Sequence, residues 1–353
     1  MSEVRILITG ASGFLGGALL EALVARGHRV RTLQRSKGPR LASLEREGRV
    51  ENVLGSVEDR EAVGRAVQGI ETVFHVAAKA GVWGSHAQYF AANVIGTRNV
   101  IELAKAHGVT RLVHTSSPSI VHAGGDQEGI DESTPIASHH ATHYPATKAI
   151  AEREALAAHG TPTGTGSDTG AGTGTGRTLS SVALRPHLIW GPGDTNIAPR
   201  MVDRAKKGRL VLVGGGHKKI DATYIESAVH AHLLAWERLA PGAACGGKAY
   251  FIAQGEPLPS RELILGIVRA HGIEVSPRSV PLAVAKLLGS SVELAWRLAR
   301  REDEPPLTRF LAEQLGTAHW YSLVAAERDL GYRAPVTTAQ GLAKLAAHVK
   351  ASA

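Results

Sequence analysis

Short apolar runs alternate with amphipathic stretches through the first half of the chain. VRILIT (4–9) is continuous and apolar, as a strand buried on both faces would be. ALLEALVARG follows with helical spacing and stops at Gly27. HRVRTLQRS (28–36) and RVENVLGSV (49–57) read as the second and third strands, and EDREAVGRAV as the helix after them. ETVFHVAAKAG (71–81) is a fourth strand ending in small residues, and a long helical segment spans about 86–107. RLVHTSS (111–117) is a fifth strand, followed by the helix ATKAIAEREALAAHG (146–160). Strand and helix alternate five times, which predicts an α/β fold on a doubly wound parallel sheet.

The second half is less regular. TPTGTGSDTGAGTGTGR (161–177) is Gly/Thr-rich and nearly uncharged, so it cannot bury a core and predicts a flexible surface insert. LSSVALRPHLIWGPGD (179–194) re-enters the core, and GGKAYFIAQG (246–255) is a further strand. PLAVAKLLGSSVELAWRLARR (281–301) is an apolar helix interrupted by Lys286, Glu293 and Arg297 and ended by Pro305-Pro306. It reads as an amphipathic core or interface helix; a lid over an apolar substrate, or a helix at a membrane surface, is the sharper alternative. The expected division is a dinucleotide-binding domain at 1–190 and a smaller, mostly helical substrate-binding region at 191–353, with part of 220–255 returning to the first domain.

Composition narrows the function classes. The chain has 353 residues, 43% of them apolar, enough for a sizeable core. A single cysteine, Cys245, excludes a disulfide framework, a cysteine zinc site and an iron–sulfur cluster. The N-terminus enters an apolar strand at once and lacks the pattern of a signal peptide, and no uncharged apolar run reaches 18 residues. The expectation is a cytoplasmic protein, peripheral to a membrane at most. The net charge of +8 is dispersed and aromatics are only 5%, which argues against nucleic acid and for anionic small molecules. HHATH (139–143) has no Asp, Glu or Cys at ligand spacing, so no metal is expected.

The candidate chemistry sits at strand ends. Gly10, Gly13 and Gly16 are spaced three apart between a strand and a helix, with Ser12, Phe14 and Leu15 among them. Such a loop lets a phosphate approach backbone N–H groups at a helix N-terminus. Gln34 ends the second strand, where an acid would hold the ribose hydroxyls of NAD, and Arg35-Ser36-Lys37 follow. A cation there suits a 2′-phosphate, so NADP is expected over NAD; the alternative is that Arg35 and Lys37 are solvated loop charges. Ala77 and Ala78 leave room for a flat ligand, and Lys79 beside them is a rim charge or a contact to an anionic substrate. Ser117 ends the fifth strand, and Tyr144 and Lys148 share a helix face four residues apart. A cation beside a phenol pulls its pKa toward neutrality and makes it a proton donor and acceptor. No G-x-S-x-G surrounds Ser117, which argues against a hydrolase.

Together, TGASGFLG, NVIGTRN, HTSSPSIV, YPATKAIAE, LRPHLIWGPGD and DATYIESAVHA resemble, in order and spacing, the extended short-chain dehydrogenases/reductases over nearly the whole chain. TSSPSIV, DESTP (131–135) and YPATKA resemble the 3β-hydroxysteroid and sterol-4-carboxylate dehydrogenase branch, with a further likeness to the bacterial 2-alkyl-3-oxoalkanoate reductases. The resemblance implies that Ser117 binds the substrate oxygen, Tyr144 moves its proton, and Lys148 lowers the Tyr pKa and binds the nicotinamide ribose. It implies that Asn93 helps hold a water relay behind Lys148, and that Pro186, His187 and Leu188 pass by the nicotinamide. Ser56, beside Val57, stands where many relatives carry an Asp against adenine, which puts that contact in doubt, and the 161–177 insert is longer than the family pattern.

The activity implied is an NADPH-dependent interconversion of a 3-oxo and a 3-hydroxy group on an apolar substrate. A 2-alkyl-3-oxoalkanoate of long-chain olefin biosynthesis is expected, its carboxylate needing a cation such as Lys79. A homodimer and association with other enzymes of the pathway are also implied. The alternatives are a 3β-hydroxysteroid or sterol dehydrogenase, a nucleotide-sugar epimerase, and a non-catalytic NADP-binding regulator. Pro118 and Ser119, where dehydratases place an Asp-Glu pair, argue against dehydration. The retained Ser117, Tyr144 and Lys148 argue against a regulator.

Overall fold

Seven parallel strands carry the cleft described below. In the computed structural model, which describes residues 5–164, 177–301 and 303–352, the first five are β1 (Ile6–Thr9), β2 (Val30–Gln34), β3 (Val50–Leu54), β4 (Thr72–His75) and β5 (Arg111–Thr115). Across the sheet the order is β3-β2-β1-β4-β5, then Thr178–Pro186 and Ala249–Ile252. Every neighbouring pair is parallel. The strand order reverses between β1 and β4, and the crevice at their C-terminal ends is where ligands bind in such sheets. Both strands are buried along their whole length, polar Thr9, Thr72 and His75 included.

Helices cover both faces. α1 (Phe14–Ala25) and the helix Ile225–Arg238 pack on one through Leu19, Leu23 and Leu233, and the helices Arg60–Val67 and Gly96–Ala106 pack on the other through Val63, Val67 and Val100. The last sheet strand, Ala249–Ile252, comes from beyond this first half and pairs with Thr178–Pro186.

Several boundaries differ from the sequence expectation. The long helix at 86–107 is three pieces: His86–Phe90, a π-helical turn at Ala91–Ile95, and Gly96–Ala106. The helix expected from 146 begins at His143, because Pro145 falls in its first turn, where a missing N–H costs no hydrogen bond. The stretch expected as a loop at 161–177 starts as a strand, Thr161–Pro162, antiparallel to Thr178–Leu179; residues 165–176 lie outside the described residues.

The helix Leu282–Leu298 is not a core helix. Its buried residues are Ala285 and Gly289, while Leu287, Leu294 and Leu298 are exposed. Gly289 lets it approach the backbone at Thr308, where an added Cβ would lie 2.6 Å from a carbonyl carbon. It ends at Leu298, before Pro305-Pro306, and Arg300 just beyond takes a left-handed φ of 50°. Among the described residues no helix is long and apolar enough to cross a membrane.

A four-stranded sheet, ordered Leu258–Pro259, Lys219–Ile220, His319–Tyr321, Gln127–Ile130, joins the C-terminal region to the segment after β5 and sets His319 opposite Gln127.

Candidate active site

The glycine loop closes one end of the crevice with backbone alone. Gly10 has φ +77°, and a Cβ on it would lie 2.9 Å from the Ala77 backbone. A Cβ on Gly16 would lie 2.3 Å from the Gly10 oxygen, so α1 can seat against the loop only with glycine there. Gly13 caps α1 without a side-chain hydrogen bond. The first N–H groups of the helix therefore remain available beside the cleft, a donor set that fits a pyrophosphate.

At the end of β2, Gln34 is buried; its Nε2 donates to Asn52 Oδ1 at 3.0 Å and its Oε1 has no partner. Arg35 is exposed and lines the cleft, whereas Ser36 does not, and Lys37 is paired with Glu45. Of the expected basic run, the cleft thus receives Arg35. Ser56 and Val57 line the same end, and Ser56 Oγ accepts from Glu58 N–H at 3.3 Å.

The tyrosine helix, His143–Ala157, presents Tyr144, Lys148 and Glu152 at successive four-residue steps. Glu152 makes a bidentate ion pair with Arg185 at 2.6 and 2.9 Å, both side chains almost fully buried, which ties this helix to the strand Thr178–Pro186. Lys148 Nζ donates to Thr115 O at 2.6 Å and lies 3.5 Å from His114 Nε2. Burial lowers the Lys148 pKa to about 8, against the opposing pull of Glu152. Beneath it His114 and His75 are held neutral by burial, His75 bonding Thr9 Oγ1 and Thr97 Oγ1.

The expectation for Tyr144 needs correction. Its phenol is pushed up from the ordinary value by burial, and a hydrogen bond with Ser117 only partly offsets this. The Lys148 ammonium donates to the β5 backbone at Thr115 O. Burial thus favours the protonated phenol at Tyr144.

Ser117 begins a 3₁₀ turn at Pro118–Val121, and its Oγ lies 2.9 Å from Ser119 Oγ. Asn93 sits in the π turn rather than on a regular helix. Its Oδ1 accepts from Lys79 N–H at 2.7 Å, and its Nδ2 donates to Lys79 O and to Thr147 Oγ1. Asn93 therefore clamps the segment after β4 to the tyrosine helix. Lys79 lines the cleft, with its ammonium 5.2 Å from the centre of the Tyr89 ring.

One cleft of about 1160 Å³ joins these groups. It runs from Gly10, Ser12, Gly13, Phe14, Leu15 and Gly16 past Ala77, Ala78 and Lys79 to Ser117, Tyr144 and Lys148. Pro186, His187 and Leu188 form its wall beyond them. Leu188, which lines the cleft, holds φ 40°, a strained value for a bulky residue. Its far part is apolar, lined by Met201, Leu210, Ile264, Phe310, Leu311 and Leu315. No cluster of potential metal ligands occurs among the described residues.

The family model of the 3-beta hydroxysteroid dehydrogenase/isomerase family matches residues 7–283. The chain belongs to this family. It is an oxidoreductase of the short-chain dehydrogenase/reductase type. A 2-alkyl-3-oxoalkanoate reductase of Stenotrophomonas maltophilia is 48% identical over 98% of this chain and 99% of its own length. A second, from Shewanella oneidensis, is 41% identical over 96% and 85%. A decarboxylating sterol-4-alpha-carboxylate 3-dehydrogenase of Bos taurus is 32% identical over 94% and 89%. The UDP-glucuronic acid 4-epimerase from Bacillus cereus, solved with NAD, superposes with a TM-score of 0.71 at 20% identity over 99% of both chains, which shows the shared fold.

Within this family member, sequence reasoning missed the Arg185–Glu152 pair and the polar residues His122, Gln127, Gln314 and His319 of the cleft. Glu152 was within reach, four residues beyond Lys148 on the same face. The others come from segments brought together only by the four-stranded sheet and the helix Arg309–Gly316.

Proposed function

We propose that the chain reduces the 3-oxo group of a 2-alkyl-3-oxoalkanoate to the 3-hydroxy acid with NADPH, reversibly. One observation carries this reading: Ser117, Tyr144 and Lys148 meet in a cleft that starts at an open helix N-terminus and ends in an apolar chamber. The names of the relatives support the substrate class. A bound nicotinamide supplies the hydride to the carbonyl carbon.

The chain's own residues handle the oxygen and the proton. Ser117 donates a hydrogen bond to the carbonyl oxygen as negative charge develops there. Tyr144, kept protonated by burial, gives that oxygen its phenolic proton. Lys148 then faces the phenolate just formed, and its ammonium stabilises it until a proton returns from solvent. Oxidation runs the same path backwards, with Tyr144 as the base. Gln34 in place of an acid, with Arg35 at the cleft, favours a 2′-phosphate on the cofactor. The apolar chamber suits long alkyl chains.

The test follows oxidation of NADPH and of NADH with a 2-alkyl-3-oxo acid beside a 3-oxosteroid. The expected result is turnover of the acid with NADPH. Preference for the steroid overturns the substrate, and preference for NADH overturns the reading of Arg35. Conversion of a UDP-sugar without net consumption of cofactor identifies an epimerase.

A further inference from the structure

Past the catalytic hydroxyls the cleft holds buried polar atoms with nothing to bond. His122 is 7% exposed, and among the described residues its ring nitrogens lack any partner within hydrogen-bonding distance, Gln127 being the polar side chain that faces the ring. Gln127 is 8% exposed; its Nε2 donates to Val121 O at 2.9 Å, which leaves Oε1 unpartnered. Gln314 Nε2 is buried without a partner as well. All three line the cleft together with Ser117 and Ser119. Buried polar atoms left unpaired are costly, and a set of them in one cleft marks a place for a polar ligand group. His75 and His232, also buried, show the contrast. His75 bonds Thr9 and Thr97, and His232 bonds Thr115 and Ala228 O, so both ring nitrogens are satisfied.

The set lies at the reacting end of the cleft. Ser117 opens and His122 closes the same 3₁₀ turn. The His122 ring is 4.9 Å from that of His319, which in turn is 6.0 Å from that of His187. The polar atoms thus sit between the catalytic turn and the wall that follows Thr178–Pro186. The two carboxylates that act on this set, Glu313 and Asp126, are already paired with Lys286 and Lys218.

The donor pattern selects the ligand. Gln127 Oε1 can only accept, so it suits an N–H of His122. The opposite ring nitrogen then faces the cleft; burial holds the free ring neutral, so it donates forward only when a bound carboxylate draws a proton onto it. Gln314 Nε2 supplies a second donor. Two donors, one on an imidazolium, match the two oxygens of a carboxylate. In a 3-oxo acid the carboxyl carbon is two bonds from the carbonyl carbon, so its binding group must neighbour Ser117. Of the other cations near the apolar chamber, Arg200 bonds Glu304 and Arg204 bonds Pro306 O, while the Lys79 ammonium lies over the Tyr89 ring.

Building on the function proposed above, we infer that His122, backed by Gln127 and flanked by Gln314, binds the substrate carboxylate and selects acids over esters and ketones. The test uses NADP⁺-dependent oxidation of a 2-alkyl-3-hydroxyalkanoic acid and of its methyl ester. Wild type, His122→Phe and Gln314→Leu are assayed, each with both substrates on one preparation, so that misfolded protein cancels from the ratio. Wild type should favour the acid. In His122→Phe the acid-to-ester ratio of kcat/KM should fall at least about tenfold, mainly through KM for the acid, and in Gln314→Leu by a smaller factor. His122→Gln, which keeps a donor, should recover part of the preference. A wild type indifferent to esterification, or a ratio unmoved in both His122→Phe and Gln314→Leu, overturns the inference. A wild type that oxidises neither compound refutes the proposed function itself, and the inference falls with it.

Discussion

At its dinucleotide end the cleft is made of backbone: glycines that no Cβ could replace, an open helix N-terminus, and strand ends from one continuous stretch of chain. At its substrate end it is made of side chains gathered from the turn after β5, the strand Gln127–Ile130, the helix Arg309–Gly316 and the strand His319–Tyr321. The first end is a generic mould that binds by shape and N–H groups. The second is a specific chamber whose unpaired polar atoms and apolar wall leave room for variation without disturbing the sheet. A fold shared with sugar-nucleotide epimerases at 20% identity is what such a division permits.

The sharpest way to break this contrast is at Gly16. Gly16→Ala would put a methyl 2.3 Å from the Gly10 oxygen, so NADPH binding followed by fluorescence titration should be lost. Retained affinity would mean that the loop has slack and is not a rigid mould.

Next in size is the joint between the two ends. Arg185→Met leaves Glu152 buried and unpaired, and chemical denaturation should show a loss of about 3–5 kcal/mol. A neutral result would assign the position of the tyrosine helix to packing alone.

A smaller effect is expected at Arg35. Arg35→Ala should reduce the preference for NADPH over NADH by about tenfold, measured as a ratio of kcat/KM values. An unchanged ratio would make Arg35 a solvated charge.

The smallest effect concerns Lys148. Its folded pKa of about 8 lies below the value of about 10.4 for a free lysine. Between these values the unfolded chain binds more protons, so stability of the cofactor-free protein should rise with pH across that window. Thermal melts of wild type against Lys148→Met should show that slope only in the wild type.

How much of this was legible in the sequence follows the same division. The glycine loop, the strand ends and the Tyr144–Lys148 pair are local patterns, and spacing alone placed them. The geometry at Asn93 was not legible, because a π turn leaves no periodicity signal of its own in so short a run. Nor was the sign of the shift at Tyr144, since a neighbour in sequence is visible whereas desolvation by the surrounding fold is not. His122 was unreadable for a related reason. Gln127, which faces it, is near in sequence, but His319 reaches it only through the pairing of Gln127–Ile130 with His319–Tyr321. The helix Leu282–Leu298, read as a core or interface helix, packs through Ala285 and Gly289 and leaves Leu287, Leu294 and Leu298 exposed, so of those two readings burial in the core is the one that fails.

The central claim is that a half-buried, protonated Tyr144 passes a proton to a substrate oxygen in a cleft that binds its cofactor independently. Single-turnover reduction of a 2-alkyl-3-oxo acid by Tyr144→Phe loaded with NADPH tests this directly. The predicted result is full cofactor binding with the hydride-transfer step lost. Near-normal single-turnover rates in that variant would contradict the account.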